Sequence, residues 1–401
     1  MLSRINFFIK LLFILTMCFN MAFTLMDINM PILHKVASTL LYLSFFVVLY
    51  YWFVNRHEFH YQKAFKYFVA FYLIYSFVVY QDLTSHKMFE LEDMLGCPSS
   101  VNEFLYNSFI VLALLLFIPV LDKIKNCFFL FNSYIFINGI GTVAFCLLKG
   151  HQEIGEYALM VSGLASAVAL LAILFRKKIL YSNKLKILPY LFVAGSVFVW
   201  GVCSKRGPVL YFLAVSLLLY ILGNRKNVSK VLLSLFIVGI LVFTFQSIIF
   251  DLLQDIAPEL VGKFISTVES GDTSGRFGDE DSGYALAYQQ VLENIWTGTY
   301  FRITYPYGIW TGMYPHNIIL ESMMTFGLLG TIPLIIFVFL AVKRINLITN
   351  MSKNNTYWMM MFFTIIFLNS FLMLMSTGTL LLNKSFWLSF GALLNFKPFK
   401  K

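Results

Sequence analysis

The stretch "YPHNIILESMMTFGLLG", residues 314 to 330, sets His316, Asn317 and Glu321 at the mouth of an apolar run. With Pro315 at the first helical position, His316 and Asn317 fall at a helix N-terminus. There, unpaired N–H groups and the helix dipole favour an anion. Asn317 and Glu321 are four apart and share a face; His316 and Glu321 are about 140° apart, so one ligand touches both only across the helix tip. An ionisable group at membrane depth is a candidate for function by default, and Glu321 requires a buried partner or a proton. For His316 a structural role at the interface stays open.

Four further cations invite the same question. Lys205 and Arg206 form a basic pair in the short turn "CSKRGP". They read either as an anion site suited to phosphate or pyrophosphate, or as a snorkelling pair at a helix end. Arg276, in "SGRFGDED", lies between Gly275 and Gly278, whose backbone freedom would let it approach a ligand. The alternative is a solvated charge paired with Asp279, Glu280 or Asp281. Arg302, in "TYFRITYPYG", carries both readings with less local support.

The elements that must position these residues are membrane helices. The chain has 401 residues, 59% of them hydrophobic and only 12% charged, outside the range of soluble globular domains. Apolar windows long enough to cross about 30 Å of hydrocarbon recur along its length. Twelve spans are predicted: 7–26, 36–54, 64–80, 104–121, 127–148, 157–175, 187–203, 208–222, 231–250, 316–342, 357–376 and 379–395. The first is expected to be a retained helix and not a cleaved signal peptide. The fold class is all-α, with spans one to nine in residues 1–250, a long outer loop over 251–315 and the last three spans in 316–401.

Lys and Arg placement sets the orientation. With the N-terminus inside, 21 of the 30 basic residues and two of the 20 acids, Glu58 and Asp122, fall on the cytoplasmic side. The net charge of +10 thus divides into +19 inside and −9 outside, both termini cytoplasmic. The basic excess is a topology signal, and no nucleic-acid partner is expected. Four of the five cysteines lie in or at the ends of spans and Cys97 in an outer loop, so neither an intramolecular disulfide nor a paired-Cys metal site is expected.

Two outer segments have room for function: the acidic loop 81–103 and the 65-residue loop 251–315. The latter opens with an amphipathic pattern at Leu252, Leu253, Ile256, Leu260, Val261, Phe264 and Ile265, expected to lie on the membrane surface. It continues through a Gly-, Ser- and Asp-rich turn region into "YALAYQQVLENIW", a second short helix. All the singled-out residues fall on this outer side, where cations with a His/Glu pair suit a lipid-linked phosphate or pyrophosphate. No phosphate-binding loop, dinucleotide glycine pattern or Gly-x-Ser-x-Gly occurs.

Together "SKRGPVLYFLAV", the long loop with "SGRF" and "ENIWTGTYF", and "HNIILESMMTFGLLG" resemble the O-antigen ligase and polymerase superfamily of bacterial membrane glycosyltransferases. The resemblance covers residues 195 to 342, and its most specific element is the spacing of His316, Asn317, Gly327 and Gly330. It implies a multi-spanning inner-membrane glycosyltransferase with a periplasmic active site. The reaction would be a metal-independent, inverting, cofactor-free transfer of glycan from undecaprenyl pyrophosphate. Arg206 and Arg276 would bind the pyrophosphate with Lys205, Arg302 and Asn317 beside them, and His316 or Glu321 would serve the acceptor hydroxyl. The closest likeness is to polymerases of O-antigen or capsule repeat units; a ligase moving polymer onto lipid A-core is the second reading. A chain-length regulator and a flippase would be its membrane partners. A transporter or flippase of lipid-linked glycans is the reading from another class, disfavoured because the polar features crowd one face of one half.

Overall fold

The computed structural model describes residues 2–15, 31–85, 101–121, 132–140, 169, 187–202, 206–223, 262, 283–303, 315, 317–351, 354–375, 380 and 383–397. Among these almost every residue is helical and none lies in a strand. In chain order the helices are α1 (Leu2–Phe13), α2 (Pro31–Val54), α3 (Lys63–Ser85), α4 (Val101–Leu121), α5 (Leu188–Val202), α6 (Arg206–Gly223), α7 (Gly283–Glu293), α8 (Ile318–Thr349), α9 (Asn355–Leu374) and α10 (Lys384–Asn395), with a π-turn over Ile135–Ile140. Three of the described helices are long and apolar enough to cross a membrane: Lys63–Ser85, Ile318–Thr349 and Thr356–Leu374.

Several helices match the predicted spans within a few residues and differ where local chemistry decides. α3 continues through the polar "QDLTS" to Ser85, where the sequence reading starts a loop at 81. α10 has 12 residues, about 18 Å of helix, too short to cross about 30 Å of hydrocarbon alone. The predicted spans 157–175 and 231–250 and the amphipathic stretch 251–270 lie almost wholly outside the described residues. The short helix expected in "YALAYQQVLENIW" is α7.

The chain forms two compact units. One comprises Cys18–Pro31 and Asn126–Asp272, and in it α5 packs against α6 and the π-turn. α6 begins at Arg206, with Pro208 in its first turn, where a backbone N–H has no helical partner to lose.

The other unit, Met1–Met17, Ile32–Lys125 and Thr273–Lys401, is built round α10. Every residue of α10 from Phe386 to Asn395 is buried, and the helix packs against α3, α4, α8 and α9. Trp387 is its centre. Tyr72, Tyr75 and Phe68 of α3 surround it at ring-centroid distances of 4.9, 5.3 and 5.6 Å, and its Nε1–H donates to the Leu380 carbonyl at 2.9 Å. Phe390 extends the stack to Phe68 and Phe367, at 4.7 and 5.1 Å. These tilted and edge-on contacts match the geometry that ring quadrupoles prefer. α9 is buried on all sides from Tyr357 to Phe367 and correspondingly has no polar face.

Asparagine starts each of the last three helices. Asn317 Oδ1 accepts from Ile319 and Leu320 N–H, Asn354 Oδ1 from Tyr357 N–H, and Asn383 Oδ1 from Phe386 N–H.

Candidate functional site

The singled-out residues described with their side chains, Asn317, Glu321 and Arg302, lie at the start of α8, in its first turn and in the stretch that follows α7. α8 carries a single non-helical residue, Gly327, at φ 58° and ψ −157°. This backbone conformation is essentially confined to glycine. It separates a short helix, 318–326, from a long apolar one of about 33 Å, 328–349.

Such a break strands backbone groups in an apolar setting, and each must find a partner. The partner is the turn that follows α7. Leu328 N–H donates to the Ile295 carbonyl at 2.8 Å and Leu329 N–H to that of Trp296 at 3.1 Å. In a regular helix these N–H groups would bond Met324 and Thr325. The Met324 carbonyl, so released, accepts from Thr299 N–H at 2.7 Å. The two segments therefore exchange hydrogen bonds as a backbone clasp.

Close approach explains both glycines of the clasp. A Cβ on Gly327 would collide with the Trp296 carbonyl, and one on Gly298, itself at φ 76°, would lie 2.5 Å from the Met324 carbonyl oxygen. Gly330 makes room one turn later for the Phe326 side chain. Two of the four motif positions thus have a backbone or packing role, and a third, Asn317, is the helix cap.

The stretch after the clasp is tied down from three elements. Phe301 N–H donates to Asp82 Oδ2 of α3 at 2.9 Å. Gln290 Nε2 of α7 donates to the Arg302 carbonyl at 2.9 Å and to that of Tyr300 at 3.4 Å. Leu286, Ala287 and Val291 of α7, Ile303 and Met324 of α8 close into one apolar cluster, with Leu320 and Met323 against it.

Two ionisable residues of these segments are fully buried. Arg302 has no exposed surface, and its guanidinium carbon stands 3.9 Å from the Phe301 ring centroid, a cation–π contact. The solvated reading of Arg302 is therefore overturned. Glu321 is likewise fully buried, and both its carboxylate oxygens accept from Leu380 N–H, at 3.2 and 3.3 Å. Leu380 in turn accepts from Trp387, so the carboxylate is linked through one residue to the core tryptophan. Across the break, Thr331 Oγ1 donates to Ser322 Oγ at 3.1 Å.

The helix start also differs from expectation. α8 begins at Ile318, with Asn317 as its cap and Pro315 two residues before the cap, so Pro315 is not at the first helical position. Asn317 Oδ1 is committed to the amides of Ile319 and Leu320, at 3.0 and 3.2 Å. Lys205, Arg276 and His316 lie outside the described residues, and of Arg206 the helix start alone is described.

Sequence reasoning missed Asp82, Gln290, Gly298 and the Leu380 amide. The signals for the first two were slight: an acid just past an apolar window, and a glutamine on the buried face of a short helix. No protein-family model matches the chain, and no curated protein is significantly similar to it.

Proposed function

We propose that the chain is a twelve-span inner-membrane glycosyltransferase with cytoplasmic termini that joins undecaprenyl-pyrophosphate-linked repeat units on the periplasmic face, as an O-antigen or surface-polysaccharide polymerase. The observation that supports this reading is the clasp. The His316–Asn317–Gly327–Gly330 pattern coincides with a helix break held by the "NIWTG" turn, and Arg302 and Glu321 are buried on the two segments the clasp joins. A purely structural apolar helix has no need for such a break or for buried charge beside it.

In this reading the acceptor hydroxyl oxygen attacks the anomeric carbon of the donor glycan, and inversion accompanies cleavage of the bond to pyrophosphate. The leaving pyrophosphate takes the electron pair. Arg206, Arg276, Lys205 and Arg302 supply positive charge where that negative charge develops. His316 takes the acceptor's proton. Glu321 is a positioning residue, since its oxygens hold the Leu380 amide and fix the connection between α9 and α10 against α8.

The test uses the full chain in a strain that makes a long-chain surface polysaccharide through it. Arg206→Ala, Arg276→Ala and His316→Ala should each abolish the ladder of long chains while the protein still inserts. A normal ladder from all three overturns the reading. Core bearing one repeat unit marks a polymerase defect. Bare core with lipid-linked polymer accumulating marks a ligase instead. A purified chain that moves lipid-linked repeats across a bilayer without joining them marks a transporter.

A further inference from the structure

The inward side of α7 carries Leu286, Ala287, Gln290 and Val291, all buried. Tyr288 and Leu292, one turn apart on the opposite side, are exposed, and so are Ile295 and Trp296 of the turn that follows. Charge is nearly absent here. Of the three charged residues in 283–303 and 318–342, Arg302 and Glu321 are fully buried and Glu293 alone is exposed. Gln289 and Glu293, four apart, lie about 100° round α7 from Tyr288 and Leu292, so the helix has a polar edge beside its apolar face.

The clasp fixes the depth at which this face stands. The Trp296 carbonyl accepts from Leu329 N–H at 3.1 Å, and both residues are 63% exposed, so the apolar surface runs on from the turn to α8. On α8 it continues as a ridge of Leu329, Ile332, Ile336 and Phe339, spaced three and four apart on a helix long and apolar enough to cross a membrane. Residues 322–342, between Glu321 and Lys343, carry no charge: 21 residues, about 30 Å of helix, the thickness of the hydrocarbon. Gly327 is the sixth of them, which sets the clasp within about 10 Å of one edge of that layer.

We propose that Tyr288, Leu292 and Trp296 form a membrane-interface anchor that lies among the glycerol and carbonyl groups of the leaflet nearer the start of α8, without selection for headgroup charge. Residue type agrees with depth: Trp and Tyr place an apolar ring toward the hydrocarbon and a polar N–H or O–H at the headgroups. The Gln289–Glu293 edge then faces water. No exposed cation stands in 283–303 or 318–342, so these segments offer an anionic headgroup no partner. A second protein seated on α7 would abut the Leu329 ridge and would itself have to enter the bilayer. The anchor holds α7, and with it the clasp, at one depth. The inference rests on α8 crossing a bilayer and not on the polymerase reading.

The test reconstitutes the full chain in phosphatidylcholine bilayers and reads Trp296, one of six tryptophans, as the difference in emission between the wild type and Trp296→Phe. Phosphatidylcholine brominated near the carbonyl end of its acyl chains should lower that component about twofold, as for a ring at headgroup level. Lipid brominated near the chain ends, and iodide in the water, should each lower it less. Brominated phosphatidylglycerol should act no better than the same phosphatidylcholine. Tyr288→Trp, which puts a reporter on α7 itself, should gain a component with the same order of quenching, and it serves alone should Trp296→Phe fail to insert. Quenching by iodide without quenching by bromolipid means a face in water, and quenching by neither means a face covered by protein; either overturns the proposal. Strongest quenching from the chain ends, or a preference for the anionic lipid, overturns it as well. None of these readouts involves glycan, so the polymerase reading stands or falls separately.

Discussion

The aromatic core around Trp387 and the clasp at Gly327 belong to one compact unit, yet they are held by opposite means. The core is side chains throughout: rings of α3, α9 and α10 at centroid distances of 4.7 to 6.5 Å, on helices whose backbones are regular. In the clasp the backbone does the holding. Three amide hydrogen bonds pass between the 295–299 turn and α8, and the two glycines are there because a Cβ would prevent them. Ring packing is a sum of many weak contacts and yields gradually to substitution. Exchanged backbone hydrogen bonds depend on one conformation and fail together. Of the two buried ionisable residues, Arg302 follows the clasp turn, whereas Glu321 is tied through Leu380 to the core tryptophan.

That contrast can be broken or sharpened by variants. Trp387→Ala, which empties the centre of the core, should cost the most, about 3–5 kcal/mol of stability by thermal unfolding in detergent. The activity of each molecule that remains folded should survive, and loss of activity without loss of stability would erase the distinction. Gly327→Ala should cost about 3 kcal/mol through backbone strain alone. It should also release the amides of Leu328 and Leu329 to hydrogen exchange while those of α10 stay protected. Uniform deprotection of both would mean that clasp and core are one cooperative element.

Glu321→Leu removes the partner of the buried Leu380 amide and should cost about 1–3 kcal/mol. Glu321→Gln keeps an acceptor and should recover most of that stability together with most polymer formation, if the residue positions the α9–α10 connection. Wild-type stability with polymer formation lost in the glutamine variant would assign the carboxylate a chemical role instead. Asn317→Ala should cost about 1 kcal/mol, the usual worth of a helix cap.

The smallest effect is a pH dependence outside the spans. Burial, opposed by the hydrogen bond from Trp52, pushes the Tyr61 phenol from 10.0 up to about 12. Its proton is thus held more tightly in the folded chain than in the unfolded one. Its contribution is complete below about pH 10 and is lost as pH rises toward 12. The stability difference between the wild type and Tyr61→Phe should therefore be flat to about pH 10 and shrink above it.

The sequence alone determined the material of this protein and the position of its unusual residues. Apolar windows placed α2, α3, α4 and α9 to within five residues and ended α8 seven residues early, because helix formation in an apolar run is a local matter of length and hydropathy. It also marked Asn317, Glu321 and Arg302 as out of keeping with their surroundings, and gave no sign of what any of them touches. Tertiary structure alone decided that Gly327 breaks a helix which hydropathy runs straight through. Tertiary structure likewise made Asp82, a loop residue by pattern, an anchor for Phe301 across 219 positions of sequence. The physical reason is the same in both cases. A hydrophobic pattern records which faces avoid water, whereas a backbone hydrogen bond is made by groups that every residue carries, so its partner leaves no trace in side-chain identity. Only the glycines, which permit the approach by lacking a side chain, leave the clasp a mark in the sequence.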